Sequence, residues 1–175
     1  MRIYLIGYMY CGKSTLGKRL ARLMEYDFVD LDSYFEQRYH TTIPIFFEKY
    51  GEATFRKLEG LMLENSSEWD NVVIATGGGT PCYGNNMRRI KELGLSVYLE
   101  LDFDAICARM VNSHKVRPVL ANKTIEEKRE FIKKQLEERN HYYRQADLVI
   151  DAFGDDTVNL GIKLYNSIQN YIGKV

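Results

Sequence analysis

Short apolar runs alternate along this chain with longer segments whose apolar residues recur every three or four positions. Five of the runs have the length and composition of β-strands; they cover residues 3–6, 28–32, 72–75, 96–101 and 148–150. The run at 72–75 (VVIA) is apolar at every position, which is typical of a strand buried on both faces. This alternation predicts a three-layer α/β/α fold around a five-stranded parallel sheet.

Apolar spacing and capping residues mark the helices. Three helices are expected before the third strand, at about 33–39, 43–50 and 52–66. Thr124 and Glu127 have the spacing of a capping box, so a long charged helix should begin there and run to about residue 144. An apolar stripe over 158–172 predicts the last helix. No repeat or linker interrupts the 175 residues, and we expect a single domain.

The segment 7–14, GYMYCGKS, lies between the first strand and the helix that follows it, and it fits the P-loop pattern G-x-x-x-x-G-K-[ST]. Glycines allow backbone N–H groups to turn inward, and the helix adds its unpaired N-terminal donors, so the loop can hold a dense negative charge. Lys13 is placed to reach the β- and γ-phosphates, and the Ser14 hydroxyl to bind Mg²⁺. The chain is therefore predicted to bind a nucleoside triphosphate.

Composition narrows the class of protein further. The 24 Lys and Arg residues balance the 24 Asp and Glu residues, so no overall positive field attracts nucleic acid. The three cysteines are odd in number and lack C-x-x-C spacing, which favours neither disulfides nor a zinc site. No long apolar stretch is present, and the first strand begins at the N-terminus. We expect a cytoplasmic protein without a nucleic-acid or membrane partner.

A second group of residues points to the acceptor of the phosphate. Asp30 and Asp32 are expected to close the second strand, Arg56 and Glu59 lie one helical turn apart, and a triple glycine at 77–79 follows the third strand. Each has an ordinary alternative: Asp30 could cap the next helix, the Arg56–Glu59 pair could be solvent-exposed, and the glycines could form only a turn. Together on a P-loop scaffold, they predict a site for a small polyhydroxylated anion.

With these motifs in order, the chain resembles the shikimate kinase family over nearly its whole length. The matching runs are the P-loop with Ser14-Thr15, Val29–Asp32, 45–59 (IFFEKYGEATFRKLE), Ala75–Gly79, Arg117–Leu120 and Glu138–Asn140. The resemblance implies a P-loop NTPase fold of the nucleoside-monophosphate-kinase type, with acceptor-binding helices at about 33–66 and a mobile lid at about 112–123. It also implies a monomer that phosphorylates the 3-hydroxyl of shikimate with ATP and Mg²⁺, a step of chorismate and aromatic amino acid biosynthesis.

The resemblance assigns roles to individual positions. The expected catalytic residues are Lys13, Asp32 and Arg117. The expected ATP-binding residues are Gly7, Cys11, Gly12, Lys13, Ser14, Thr15, Arg117 from the lid and Arg109 beside the adenine. Shikimate would be held by Asp32, Arg56, Gly78 and Arg139, in a pocket lined or supported by Phe47, Phe55, Glu59, Gly77 and Gly79. Ser14 would bind Mg²⁺, with Asp30 and Asp32 acting through water.

The sequence departs from the family pattern in two places, and it leaves several alternative functions open. Tyr10 and Cys11 stand where the family usually has Gly followed by Ala or Ser, and a tyrosine is disfavoured if that position requires a positive φ. The tail after Arg139 is one residue shorter than the family leads us to expect. The alternatives are another small-metabolite kinase, such as a gluconate or nucleoside monophosphate kinase, a non-catalytic ATP-binding module, and a nucleic-acid-linked ATPase.

Overall fold

The computed structural model describes residues 1–113, 120, 123–154 and 156–174. Within this part of the chain, five strands alternate with seven α-helices. Their bounds are β1 Arg2–Ile6, α1 Lys13–Met24, β2 Asp27–Asp30, α2 Leu31–Tyr39, α3 Ile43–Asn65, β3 Val72–Ala75, α4 Asn86–Leu93, β4 Leu95–Glu100, α5 Phe103–Val111, α6 Ile125–Tyr143, β5 Leu148–Asp151 and α7 Thr157–Ile172.

The five strands form one parallel sheet in the order β2-β3-β1-β4-β5. The central strand β1 is fully buried from Ile3 to Ile6, as expected for a strand covered on both faces. Its two neighbours, β3 and β4, come later in the chain, so the strand order reverses around β1. Ligands of doubly wound sheets bind at the carboxyl ends of strands beside such a reversal, and the P-loop follows β1 there. The predicted α/β fold is confirmed.

Two separate apolar clusters hold the chain together. The larger one fills the space between the sheet and its helices. The smaller one belongs to α2 and α3 and consists of Phe35, Phe46, Phe55 and Met62, with partly buried neighbours around them. Phe35 lies at the centre of this aromatic cluster, with its ring centroid 4.8 Å from that of Phe55 and 5.0 Å from that of Phe46. The predicted acceptor-binding helices therefore pack on a small core of their own.

Several local predictions can be compared with the structure. The two helices expected at 43–50 and 52–66 form the single element α3, in which Gly51 is non-helical with φ 78° and ψ 160°. The capping box at Thr124 is present, with both of its reciprocal hydrogen bonds to Glu127. Helix α4 was not predicted. Arg117 and most of the expected lid at about 112–123 lie outside the described residues.

One prediction about the second strand was wrong. Strand β2 ends at Asp30, and Asp32 lies in the first turn of α2 rather than at the end of the strand. The reason is that the Asp30 carboxylate accepts hydrogen bonds from the backbone N–H groups of Asp32 and Ser33, at 3.2 and 3.3 Å, and so begins the helix early. Among the helices of the described residues, none combines the length and apolar composition needed to cross a membrane.

Candidate active site

The P-loop forms a backbone cradle between β1 and α1. The Nζ of Lys13 folds back over the loop and donates hydrogen bonds to the carbonyl oxygens of Gly7, at 2.7 Å, and Tyr8, at 2.8 Å. Gly12 is the N-cap of α1 in a left-handed conformation, and no side chain of the described residues caps this helix. The first N–H groups of α1 thus remain available to an anion, as P-loop chemistry requires.

Tyr10 has a positive φ of 66° inside this loop, in the left-handed region that non-glycine residues rarely adopt. The sequence-based concern that this position needs a positive φ is therefore confirmed. Arg109 supports the strained segment, since its Nη1 donates to the carbonyl oxygen of Tyr10 at 3.3 Å and its Nη2 to that of Ala152 at 3.1 Å. Arg109 thus ties the P-loop to the chain that leaves β5.

Two further predicted nucleotide-binding residues also belong to this segment. The buried Cys11 has its sulfur 3.7 Å from the Nζ of Lys13. Thr15 is exposed in the first turn of α1, directly after Ser14. The structure therefore brings the predicted nucleotide residues from 7 to 15 together, with Arg109 beside them.

The candidate metal site lies where Ser14 meets the start of α2. The Ser14 hydroxyl donates a hydrogen bond of 2.5 Å to the Oδ2 of Asp30, while the Oδ1 of the same carboxylate caps the helix. Hydroxyl and carboxylate oxygens are ligands that suit Mg²⁺. No group of three or more histidine, cysteine or acidic side chains occurs in the described residues in a metal-binding arrangement. These residues fit an ion that takes most of its ligands from phosphate and water.

The glycine loop after β3 brings the acceptor-side residues together. A Cβ atom at Gly77 would lie 2.9 Å from the Oδ1 of Asp32, and one at Gly79 would lie 2.8 Å from the Nη2 of Arg56. These distances are inside van der Waals contact, so a side chain at either position would displace Asp32 or Arg56 from its place. Gly78 lies against the P-loop itself, with the backbone N of Met9 nearest to it. The loop therefore places Asp32 and Arg56 beside the phosphate-binding segment.

Arg56 is held by two carboxylates of its own helix. Its Nη1 donates to Glu59 Oε2 at 2.9 Å, and its Nε and Nη2 donate to Glu52 Oε1 at 3.1 and 2.9 Å. The Arg56–Glu59 pair is not the solvent-exposed pair of the ordinary alternative, because Glu59 is only 2% exposed. Burial raises the pKa of Glu59, and the charge of Arg56 and a hydrogen bond from Thr80 oppose this effect. The pair is part of a buried polar network.

Arg139 reaches the same region from α6. Its guanidinium carbon lies 5.8 Å from the centroid of the Tyr8 ring, beside the P-loop. Partial burial works to raise the pKa of Glu52, yet hydrogen bonds from Tyr83 and Arg56, together with the charges of Arg56 and Arg139, lower this pKa overall. The structure thus brings the two predicted carboxylate-binding arginines to one part of the site. The shorter tail after Arg139 has not moved it away.

Of the two predicted pocket-lining phenylalanines, Phe55 lies next to Arg56 and Phe47 packs on Phe55. The ring of Phe55 lies 4.8 Å from that of Phe47, edge to face, and its centroid is 5.1 Å from the guanidinium carbon of Arg56. Phe55 also belongs to the aromatic cluster, which fixes its place. Phe55 therefore links the aromatic packing of α3 to the position of Arg56, and Phe47 supports Phe55.

Four residues of the site were missed by sequence reasoning. Tyr143 is fully buried and donates a 2.6 Å hydrogen bond to the carbonyl oxygen of Gly78. Thr80 donates to Glu59, whereas Glu52 and Tyr83 flank Arg56. Only Glu52 carried a signal in the sequence, because it lies four residues before Arg56 on a helix. The others are positioned by the fold and cannot be found by spacing.

The parallel sheet, the P-loop at the strand-order reversal and the acceptor-side residues packed against it define a P-loop kinase. The family model for shikimate kinase matches residues 9–168 of this chain. The curated shikimate kinase of Bacteroides fragilis is 44% identical over 152 residues, which cover 87% of this chain and 85% of that protein. This chain belongs to the shikimate kinase family.

Solved structures agree with this membership. A crystal structure of shikimate kinase from Bacteroides thetaiotaomicron superposes with a TM-score of 0.92 at 39% identity, covering 97% of this chain and 98% of that chain. Shikimate kinase from Acinetobacter baumannii in complex with shikimate superposes with a TM-score of 0.88 at 32% identity, covering 97% of this chain and 93% of that one. The agreement extends over nearly the full length of each chain.

Proposed function

We propose that this protein transfers the γ-phosphoryl group of ATP to the 3-hydroxyl of shikimate, giving shikimate 3-phosphate and ADP. The observation that carries the proposal is the glycine loop, which packs Asp32 and Arg56 against Gly77 and Gly79 while Gly78 lies on the P-loop. Such a loop brings an acceptor hydroxyl to the end of a bound triphosphate. The A. baumannii relative, crystallised with shikimate, supports the choice of acceptor. The reaction belongs to chorismate and aromatic amino acid biosynthesis.

Arg56 and Arg139 bind the acceptor through its carboxylate. A guanidinium group is planar and offers parallel N–H donors, which match the two oxygens of a carboxylate better than a lysine does. Two such groups at one end of the pocket favour an anionic acid over a neutral sugar. Phe47, Phe55 and the backbone of Gly78 line the rest of the pocket.

Asp32 orients the attacking hydroxyl and takes its proton. Its Oδ1 lies against Gly77, the neighbour of Gly78, which packs on the P-loop. A hydroxyl that attacks the γ-phosphate would bind beside this carboxylate. A carboxylate within hydrogen-bond reach of that hydroxyl can accept the proton as the new P–O bond forms. Asp30 is engaged by Ser14 and by the start of α2, so it does not compete for this role.

Lys13 and Arg117 stabilise the charge of the transferring phosphoryl group. The transition state spreads negative charge over its equatorial oxygens, so fixed cations and backbone donors carry most of the catalysis. Two of the three N–H donors of Lys13 bind the carbonyls of Gly7 and Tyr8, and among the described residues the third is directed at the sulfur of Cys11, a weak acceptor. That donor is available to a phosphate oxygen. Arg117 has this role by family resemblance.

Mg²⁺ would be held by Ser14 directly and by Asp30 and Asp32 through water. When bound, Mg²⁺ neutralises charge on the β- and γ-phosphates and holds them in the geometry for transfer. We further propose a single-domain, cytoplasmic monomer without a nucleic-acid or membrane partner, in line with the balanced charge of the chain. A gluconate kinase-like activity and a non-catalytic ATP-binding role are the less favoured alternatives.

A coupled assay for ADP release, run with shikimate, quinate and gluconate, tests the proposal. Shikimate should support turnover in the presence of Mg²⁺, and gluconate should support none above the rate of ATP hydrolysis alone. Lys13→Ala is the control for a contaminating kinase. Equal rates with gluconate would favour the alternative kinase, and no ADP release with any acceptor would favour the non-catalytic module.

A further inference from the structure

Tyr83 follows the short 3₁₀ turn after the glycine loop and lies directly against Arg56. The guanidinium carbon of Arg56 is 4.0 Å from the centroid of the Tyr83 ring, which is the distance of a stacked cation–π pair. The Tyr83 hydroxyl donates a hydrogen bond of 2.8 Å to Glu52 Oε1. Tyr83 therefore contacts both Arg56 and one of the two carboxylates that hold it.

The guanidinium group of Arg56 is restrained at its edges and on its faces. Glu52 takes the Nε–H and one N–H of Nη2, and Glu59 takes one N–H of Nη1. A Cβ atom on Gly79 would be almost equally far from Nη2, Nη1 and the central carbon, at 2.8, 3.0 and 3.1 Å, so Gly79 lies over a face of the group. Within the part of the chain that the structure describes, these hydrogen bonds leave one N–H on each terminal nitrogen for an incoming carboxylate.

One short segment organises both carboxylates around Arg56. Thr80, at the start of the turn, donates a 2.6 Å hydrogen bond to the buried Glu59, and Tyr83, just after the turn, donates to Glu52. Glu59 needs little further restraint because it is buried. Glu52 is half exposed and follows the non-helical Gly51, so Tyr83 is the group that keeps its carboxylate on Arg56.

We propose that Tyr83 is a positioning residue that fixes the guanidinium group of Arg56 for the carboxylate of the acceptor and so sharpens the preference for an anionic acceptor. This inference rests on the proposed function, since it takes Arg56 to be the group that binds the carboxylate. A guanidinium group fixed before binding loses less freedom when the acceptor binds, and it presents its remaining N–H donors in one direction. The Tyr83 ring contributes most of this positioning through its contact with the Arg56 guanidinium group, and the hydroxyl contributes the rest through its hydrogen bond to Glu52.

The test is calorimetric titration of shikimate into the wild type, Tyr83→Leu and Tyr83→Phe, each with ATP kinetics measured alongside. Loss of the ring should raise the Kd for shikimate about tenfold, whereas Tyr83→Phe, which keeps the stacked ring, should stay within about threefold of the wild type. The KM for ATP and kcat at saturating shikimate should change less than about twofold, because a group that acts only on acceptor binding leaves the transfer step unaltered. Tyr83→Met replaces Tyr83→Leu if the latter fails to fold.

A double-mutant cycle shows whether Tyr83 acts through Arg56. In an Arg56→Ala background, Tyr83→Leu should weaken shikimate binding by less than about twofold, because the group it positions is gone. The selectivity for shikimate over its carboxamide should also fall about tenfold in Tyr83→Leu, an effect that general loosening of the fold does not produce. Tyr171→Leu, near the end of α7, a helix that carries none of the site residues, is the matched control and should change neither quantity.

The outcomes separate this inference from the proposed function. If the wild type does not bind or phosphorylate shikimate, the proposed function fails. If the wild type binds shikimate but Tyr83→Leu binds equally well, the positioning role is overturned while the function stands. The positioning role is also overturned if Tyr83→Leu raises the Kd for shikimate as much in the Arg56→Ala background as in the wild type.

Discussion

The P-loop and the proposed acceptor pocket meet at Gly78, but the chain builds them in different ways. The P-loop occupies eight consecutive residues, 7–14, and it presents mostly backbone groups to its ligand. The acceptor pocket draws side chains from α2, α3 and α6, which the chain brings together around the glycine loop. Substitutions in the P-loop should therefore lower kcat. Substitutions in the acceptor pocket should fall into two groups, those that lower kcat and those that raise the Kd for shikimate.

The two regions also differ in what fixes their shape. The P-loop lies on the large core of the sheet, and its strained Tyr10 is bonded by Arg109. The acceptor helices α2 and α3 pack on the smaller aromatic cluster around Phe35. Because the two regions pack on different apolar clusters, substitutions near the smaller cluster can change acceptor specificity without disturbing the P-loop on the larger one.

The largest effect is expected at Lys13, whose hydrogen bonds lie within the P-loop. Lys13→Ala should lower kcat by about 10³-fold, because a fixed donor to the transferring phosphoryl group is lost. The Kd for shikimate without ATP should remain within about twofold of the wild type. Steady-state kinetics and calorimetry on the folded variant measure both. Turnover within about tenfold of the wild type would show that Lys13 does not stabilise the transition state.

Asp32 lies between the P-loop and the proposed acceptor pocket, so its substitution should affect the transfer step itself. Asp32→Asn keeps the size of the side chain but removes the proton acceptor, so kcat should fall by about 10²-fold or more. Single-turnover phosphoryl transfer measures this rate, and Asp27→Asn, at the exposed start of β2, is the matched control. A wild-type rate in the Asp32 variant would leave this residue with a binding role only.

On the acceptor side, Arg56→Ala and Arg139→Ala should each weaken shikimate binding with little change in ATP affinity. Loss of a charge-assisted hydrogen-bond partner costs about 1.5–3 kcal/mol, which corresponds to a rise in Kd of about 10- to 150-fold. Calorimetric titrations with shikimate and with ATP measure the two affinities. Unchanged shikimate affinity in both variants would mean that the acceptor carboxylate binds elsewhere.

The smallest effect concerns the strain in the P-loop. Tyr10→Gly and Tyr10→Ala both remove the ring, and they differ only in the Cβ atom at a φ of 66°. The glycine variant should therefore be more stable than the alanine variant by about 1 kcal/mol, the reverse of the order found in ordinary helices and strands. Thermal or urea denaturation of the two variants gives the difference. Equal stability would show that the backbone at residue 10 relaxes without strain.

The difference between the regions explains what could be predicted from the sequence. The presence and order of the strands, the P-loop and the capping box at Thr124 depend on neighbouring residues, so local patterns were sufficient to predict them, except for the end of β2. Asp32 lies in a helix because Asp30 acts as the N-cap of α2. From the sequence, Asp30 could equally have been a residue inside the strand or the cap of the next helix, so the position of Asp32 could not be decided. Tyr143 and Tyr83 reach the site across the fold, so no spacing in the sequence marks them.

In the proposed reaction, the glycine loop brings a shikimate hydroxyl to the phosphate held by the P-loop. Phosphorus NMR of the product formed from ATP, Mg²⁺ and shikimate tests it most directly, because it identifies the oxygen that receives the phosphoryl group. We expect a single phosphate ester on the 3-hydroxyl, formed together with ADP. Inorganic phosphate alone, or an ester on another hydroxyl, would contradict it.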